Sequence, residues 1–477
     1  MEKPIAITKS FRSQDWVQSA SVLYDRKIDL TTTGLQHAYN KHLREISKEN
    51  ALIICEYIDA MKIEINLSNN YKGSTIRLLT QLSKFHKNKA FNSMVRDDIV
   101  AFLNISKKSD PVDPLHKWIG TYNQFNMVLT RFFKWLYYPG VEQHKRKKPE
   151  VVDNIPRLTR KEKSIYKPSE LWTPEEDLLF LKYCPSSRIR CYHMIQRDIG
   201  CRPNEVLNLK IKDVIFKIVG NRQYAEVTVN GKTGTRTLPL IDSIPYLREY
   251  LSSGQHPCPT NTNAPLISGV SKSLGRSLNS QSLNHLYRKY KNEVYPKLLE
   301  SPSVAPEDKP KLRELLRKPW NPYLAGRHTS LTAKSKILRE ATLRVFSGWT
   351  PDSDMPKRYV HLFGNAACED ILEEYGLVDK NPNISTLQSK QCPNCDEPNK
   401  PDSRFCAKCR MILSYAAYNE TIEEQKKRES QVQTLQDRYE QEMKLMHEQM
   451  NQIMEMIQEN PKLAKVKPEV LVKKRSK

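Results

Sequence analysis

The sequence contains no continuous run of about 18 apolar residues, the length that a helical membrane span requires. Residues 1–30 also lack the apolar stretch of a secretory leader, so a soluble, cytoplasmic chain is expected. Acidic side chains are in deficit: 54 Asp and Glu stand against 77 Lys and Arg in 477 residues, a formal net charge of +23. That imbalance favours a polyanionic partner, nucleic acid first, although composition does not separate a DNA enzyme from a ribosomal or architectural protein. The length allows about three domains.

Of the ten cysteines, Cys55, Cys184, Cys191, Cys201, Cys258 and Cys368 are scattered, as small core thiols of an intracellular chain are. Cys392, Cys395, Cys406 and Cys409 instead form two CxxC pairs with ten residues between them. Each pair can wrap two thiolates around one ion, and the Pro-, Asp- and Asn-rich span between them can turn the chain back to close a tetrahedron. A structural Zn2+ ribbon over 388–412 is therefore expected. Four sulfur ligands leave no open position, so no catalytic role falls to it.

Apolar positions recur at helical spacing in 51–61, 75–86, 96–103 and 118–137, and 1–139 reads as a helical domain. Residues 140–165 carry His144-Lys145-Arg146-Lys147-Lys148-Pro149 and Arg157-Leu158-Thr159-Arg160-Lys161 with little apolar periodicity. They read as a basic linker, either simply solvated or tracking a phosphate backbone. A further domain, 166–376, opens at Thr173, a candidate N-cap ahead of Pro174. Inside it, 214–219 and 224–229 are β-branched runs separated by Gly220-Asn221, and 236–240 follows the turn Gly231-Lys232-Thr233-Gly234. These features predict a mainly α domain with a small antiparallel β-sheet.

Residues 420–459 contain neither Gly nor Pro. Val432, Leu435 and Tyr439, then Met443, Met446, Met450, Ile453 and Ile457, step by three and four, which suits a coiled coil with a stutter between 439 and 443. Seven basic residues against Glu469 mark 460–477 as a basic, disordered tail.

Arg202 lies in Gly200-Cys201-Arg202-Pro203-Asn204-Glu205-Val206, Lys232 sits in a hairpin turn, Arg327-His328 open a helix after Asn321-Pro322-Tyr323, and Tyr359 follows Gly348-Trp349 by ten residues. Together these residue types describe phosphoryl transfer without a metal. Guanidinium groups can clamp the non-bridging oxygens, a tyrosine can supply a nucleophile once its phenol is activated, and a lysine can protonate a leaving oxygen.

The order Gly-x-Arg-Pro-x-Glu-Val-x-x-Leu, Gly-Lys-Thr-Gly-x-Arg-x-x-Pro-Leu, Arg-His-Thr and Gly-Trp…Tyr-x-His resembles the catalytic domain of the tyrosine recombinases, the family of phage-type integrases and chromosome-dimer resolvases. The resemblance spans about 165–375. The helical region, ending in Arg131-Phe132-Phe133-Lys134-Trp135-Leu136, is similar to the family's core-binding, DNA-clamping domain. Val345 to Ser353 and the ribbon look most like archaeal integrases.

The resemblance implies that Arg202 and Arg327 bind the scissile phosphate, that Lys232 is the general acid and that Tyr359 is the nucleophile, with Arg358 and His361 around it. Trp349 stands where many members have His; its indole N–H can donate but cannot act as a base. Glu205 resembles an acid that orients the first arginine, and Arg236 a further phosphate contact. The family's His three residues before the second arginine is absent, since that place holds Leu324. Tyr323 either replaces it, if Ala325-Gly326 form a small bulge, or simply packs, and His328 is a structural candidate.

The implied activity is site-specific DNA recombination or integration through a 3′-phosphotyrosyl intermediate. It would use double-stranded DNA, a homotetramer on two sites and no catalytic cofactor. A type IB topoisomerase and a non-catalytic, recombinase-derived DNA-binding regulator stay open as alternatives.

Overall fold

The computed structural model describes residues 14–160, 168–231, 233–252, 254–360, 375 and 386–459. The chain forms two compact units, Met1–Ile165 and Tyr166–Lys477. Among the described residues, no helix is long and apolar enough to cross a membrane.

The first unit is all helical: α1 (Gln14–Thr32), α2 (His37–Arg44), α3 (Lys48–Glu64), α4 (Asn69–Phe85), α5 (Arg96–Asn104) and α6 (Trp118–Tyr137). The apolar stripes at 51–61, 75–86, 96–103 and 118–137 become α3 to α6. Ser47 and Ser68 cap α3 and α4 by accepting from the backbone N–H groups of Asn50 and Tyr71. Phe132 of α6 is fully buried, with Tyr57 and Phe91 edge-on to it at 5.1 and 5.0 Å.

The stretch after α6 departs from a solvated linker. Arg146 is buried, its Nη1 donating to Glu64 Oε2 at 3.0 Å and its Nε to the Tyr138 carbonyl at 3.0 Å. Val151, Val152 and Ile155 complete the apolar core of this unit. The acid that takes Arg146 out of solvent lies 82 residues earlier in the chain, beyond the reach of any local charge pattern.

The second unit contains α7 (Pro174–Tyr183), α8 (Ser187–Ile199), α9 (Pro203–Leu207), β1 (Val214–Val219), β2 (Arg222–Gly231), β3 (Gly234–Leu240) and α10 (Ile244–Ser252). After them come α11 (Ser280–Lys289), α12 (Tyr295–Glu300), α13 (Asp308–Arg317), α14 (Thr329–Ile337), α15 (Glu340–Ser347) and α16 (Met355–Val360). The mainly α architecture with a small antiparallel sheet is as expected from the sequence. Thr173 and Glu176 form a reciprocal capping box at α7, with Pro174 in its first turn. The strands run in the order β1-β2-β3, and Gly231 pairs with Gly234 where β2 meets β3. Ala225, Val227 and Val229 bury one face of β2. Helix α8 is buried along most of its length. Its His193 donates through Nε2 to Asp177 Oδ1 at 2.8 Å and accepts at Nδ1 from Tyr287 Oη at 2.9 Å, and Arg197 pairs with Asp177 Oδ2 at 2.8 Å.

Asp198 at the end of α8 accepts from the Ile241 and Ser243 N–H groups at 2.8 and 2.9 Å, capping α10 from another helix. Beside it, burial first and the Asp198 charge second push the Asp242 carboxyl up to about 6. Its folded value exceeds the unfolded one, so Asp242 contributes most stability below about pH 4 and loses that contribution as pH rises through 6. Asp242→Asn keeps an acceptor for the Ser389 N–H, 2.9 Å away, and removes the buried charge. The variant is expected to gain about 1–2 kcal/mol over the parent at pH 8, after allowance for solvent screening, and almost nothing at pH 4. Thermal melts at the two pH values check it; an equal gain at both would rule out the charge as the cause.

Beyond the site lie β4 (Lys390–Gln391), antiparallel to β5 (Pro398–Asn399), and α17 (Tyr415–Glu459). Helix α17 runs unbroken through 439–443. Val432, Leu435, Tyr439, Met443, Met446, Met450 and Ile453 lie along it. Among the described residues these apolar side chains from 432 to 453 lie exposed.

Candidate active site and metal centre

Helix α8 stops at Gly200, whose φ of +57° admits the left-handed turn that ends it. Two residues later Arg202 occupies the N-cap position of α9, with Pro203 in the first turn and Glu205 at N3. Glu205 accepts from the Arg202 backbone N–H at 3.0 Å, from Arg202 Nη1 at 2.8 Å and from Arg236 Nη2 at 2.8 Å. Burial would raise this carboxyl, but the hydrogen bonds from Arg236 and Arg202 outweigh it and hold Glu205 below the ordinary carboxylate range. Arg202 keeps 32% of its side chain exposed and faces a cavity of about 390 Å³. Asn204, Asn208, Asn230, Asn284 and Tyr323 also line that cavity.

Arg236, a candidate phosphate contact in the sequence, also holds the hairpin in place. It is almost wholly buried, with Nε donating to the Phe346 carbonyl at 3.1 Å and Nη2 reaching both Glu205 and Cys201 Sγ. Thr233 Oγ1 donates to the Gly348 carbonyl at 2.9 Å, so the hairpin is fastened at two points to the turn before Trp349. That turn needs glycine: Gly348 has φ +64°, and a Cβ there would stand 2.7 Å from Arg236 Nη1. Lys232 itself lies outside the described residues, as do the side chain of Arg358 and residue His361.

The segment Tyr323–His328 forms a π-helical turn, the local widening that the displaced Tyr323 requires. Its i→i+5 spacing accommodates one extra residue, so the residue four before Arg327 takes the face that an α-helix gives to the residue three before it. Leu324 is fully buried, whereas Tyr323 stands on the cavity wall with Arg202. Gly326 lets the turn press on α8, where any Cβ would run into the Gln196 side chain.

Arg327, 1% exposed, donates through Nη1 to the Gly200 carbonyl at 2.8 Å and through Nη2 to the Ser347 carbonyl at 3.1 Å. Its guanidinium carbon lies 6.0 Å from the Trp349 ring centroid. Tyr359 is also 1% exposed, stacked between Trp349 at 5.3 Å and His328 at 5.6 Å. The Tyr359 hydroxyl lies 3.0 Å from His328 Nδ1. His328, a structural candidate in the sequence, is thus the imidazole at the tyrosine oxygen. Only its adjacency to Arg327 hinted at this, because the contact joins residues 31 apart. The structure therefore gathers Arg327, His328, Trp349 and Tyr359 in one cluster, and places Arg202 with Tyr323 on the adjoining cavity.

The four clustered cysteines bring their sulfurs within 4.8 Å of one another. Cys392 and Cys409 stand 3.5 Å apart and Cys395 and Cys406 3.6 Å apart. A tetrahedral ion with metal–sulfur bonds of about 2.3 Å has edges of about 3.8 Å, close to these separations and far from a disulfide. The Met411 N–H, ahead of the Asn394 side chain, holds the Cys409 thiol down at about 6. The donor set fits a structural metal.

No family model matches the chain, and no curated protein does. Among solved structures, the XerH site-specific recombinase bound to palindromic difH substrate is similar over 79% of this chain and 100% of its own, at 15% identity and TM-score 0.47. The Tn1549 transposon integrase with transposon right-end DNA is similar over 68% of this chain and 99% of its own, at 14% identity and TM-score 0.43. A lambda integrase tetramer bound to a Holliday junction is similar over 73% of this chain and 90% of its own, at 13% identity and TM-score 0.41.

Proposed function

We propose that this chain is a site-specific DNA recombinase that breaks and rejoins strands through a 3′-phosphotyrosyl intermediate. The Tyr359 hydroxyl set on His328 Nδ1, beside the turn that bears Arg327, carries the proposal. Arg327 and Arg202 would hold the non-bridging oxygens of the scissile phosphate, and the Trp349 indole N–H would add a third donor. His328 would take the phenolic proton as Tyr359 Oη attacks phosphorus. The bond to the 5′ oxygen then breaks, and Lys232 protonates that leaving group. Attack by the 5′ hydroxyl of a partner duplex reverses these steps, so one phosphodiester replaces another without a nucleotide cofactor.

In this proposal 1–139 is the core-binding half of a DNA clamp, 140–165 adds backbone charge and 166–376 is the catalytic domain. The cysteine cluster of 388–412 takes structural Zn2+, 420–459 pairs as a coiled coil in a tetrameric synapse, and 460–477 is a basic tail. A pool of nicked duplexes should trap the full chain covalently, with the linkage mapping to the Tyr359 peptide by mass spectrometry. Relaxation of supercoils without a defined site would mean a topoisomerase instead. Sequence-specific binding with no adduct would mean a non-catalytic regulator.

Tyr323 would serve as the hydrogen-bonding group in place of the missing histidine. Tyr323→Phe should slow adduct formation roughly tenfold, the worth of one hydrogen bond near 1.4 kcal/mol, with the melting temperature unchanged. Leu324→His should give no gain, because it would put an imidazole into the core rather than on the cavity. An unaltered rate in Tyr323→Phe would return this tyrosine to a packing role.

A further inference from the structure

We propose that the cysteine-cluster metal site is a brace for the second unit, seating its own hairpin on α10 rather than offering a free docking surface. The contact is extensive and mixed in character. Leu387, just before the ribbon, is buried in the same apolar core as Leu247 and Tyr250 of α10. The Ser389 N–H donates to Asp242 Oδ1 at 2.9 Å. Glu397 is 7% exposed in its side chain and pairs with Arg248. Lys400 Nζ lies 2.8 Å from Glu249 Oε1 and 5.3 Å from the Tyr246 ring centroid. Glu249 also pairs with Arg190 of α8 at 2.9 Å, so one carboxylate joins the ribbon, α10 and α8.

These side chains are placed by the metal ligands. Glu397 and Lys400 lie between the two CxxC pairs, and the Glu397 carbonyl accepts from the Cys392 N–H at 3.0 Å. Asn399, 2% exposed, donates to that same carbonyl at 2.7 Å, accepts from the Ala407 N–H at 2.8 Å and reaches Cys406 Sγ at 3.7 Å. The hairpin has two strands of two residues each and no apolar core that could hold it closed. A fragment of this size needs its ion to fold. The face presented to α10 therefore exists only in the loaded form, and it does so whatever chemistry the second unit performs.

Hydrogen exchange on the full chain tests the coupling, comparing protein stripped by a chelator under reducing conditions with protein reloaded with Zn2+. Amides of α10 and of the Arg190 end of α8 should exchange at least tenfold faster when stripped and recover on reloading. Acceleration confined to 388–412 would overturn the proposal, as would a chain that takes up no Zn2+. The double variant Arg248→Ala/Lys400→Ala should bind one Zn2+ per chain like the parent, yet show α10 exchange that no longer responds to metal. Full metal-dependent protection in that variant would equally overturn it.

Discussion

Tyr359→Phe should abolish the covalent DNA adduct while leaving duplex affinity within about twofold of the parent. The change removes one oxygen and nothing else. Phenylalanine keeps the stack between Trp349 and His328, so the loss of stability is limited to one hydrogen bond to His328, about 1 kcal/mol. In the proposed reaction the attacking atom is that oxygen, and the rings stacked on Tyr359, those of Trp349 and His328, carry no hydroxyl to replace it. The expected loss of adduct is at least 10³-fold, to the limit of detection. Gel-shift titration and denaturing electrophoresis of the trapped complex separate the two effects. Equal adduct yield in the variant would remove Tyr359 from the chemistry.

Arg327→Ala and Arg202→Ala should lose cleavage alike and stability very differently. Each removes a guanidinium from the proposed phosphate clamp, worth about 10²-fold or more in rate. Arg327, however, satisfies the carbonyls of Gly200 and Ser347 inside the protein. Its loss leaves two buried acceptors, at about 1–3 kcal/mol each, and a void beside Trp349. A fall of 3 kcal/mol or more in the stability of the second unit is expected. Arg202 is partly exposed, and Glu205 retains Arg236 when it goes, so Arg202→Ala should cost no more than about 1 kcal/mol. Melting curves set beside single-turnover cleavage rates check both halves. A parent-like rate in Arg202→Ala would take that residue out of the clamp.

The local features of the fold were legible in the sequence because local chemistry decides them. Thr173 and Pro174 start α7, Gly231 and Gly234 bracket the hairpin turn, and the four clustered cysteines converge as their spacing requires. Residues governed by distant partners were not legible. Arg146 reads as one charge in a basic run, yet Glu64 buries it, and nothing local announces that Arg236 reaches Glu205 and the Phe346 carbonyl. Tyr323 lines the cavity and Leu324 is buried, an arrangement the sequence leaves open. What selects it is a backbone geometry, the π turn, that no single residue type announces. The same turn carries His328, whose contact with Tyr359 joins residues 31 apart and leaves no local mark in the sequence.

The widened turn closes on Thr329, whose backbone N–H reaches the Gly326 and Leu324 carbonyls. Thr329 Oγ1 donates to the Leu324 carbonyl at 2.9 Å inside the buried core. Three groups that must agree in direction, Tyr323, Arg327 and His328, ride on the six residues immediately before that threonine. One residue that would touch no DNA in the proposed reaction thereby ties down the end of the turn twice, through its backbone N–H and its hydroxyl.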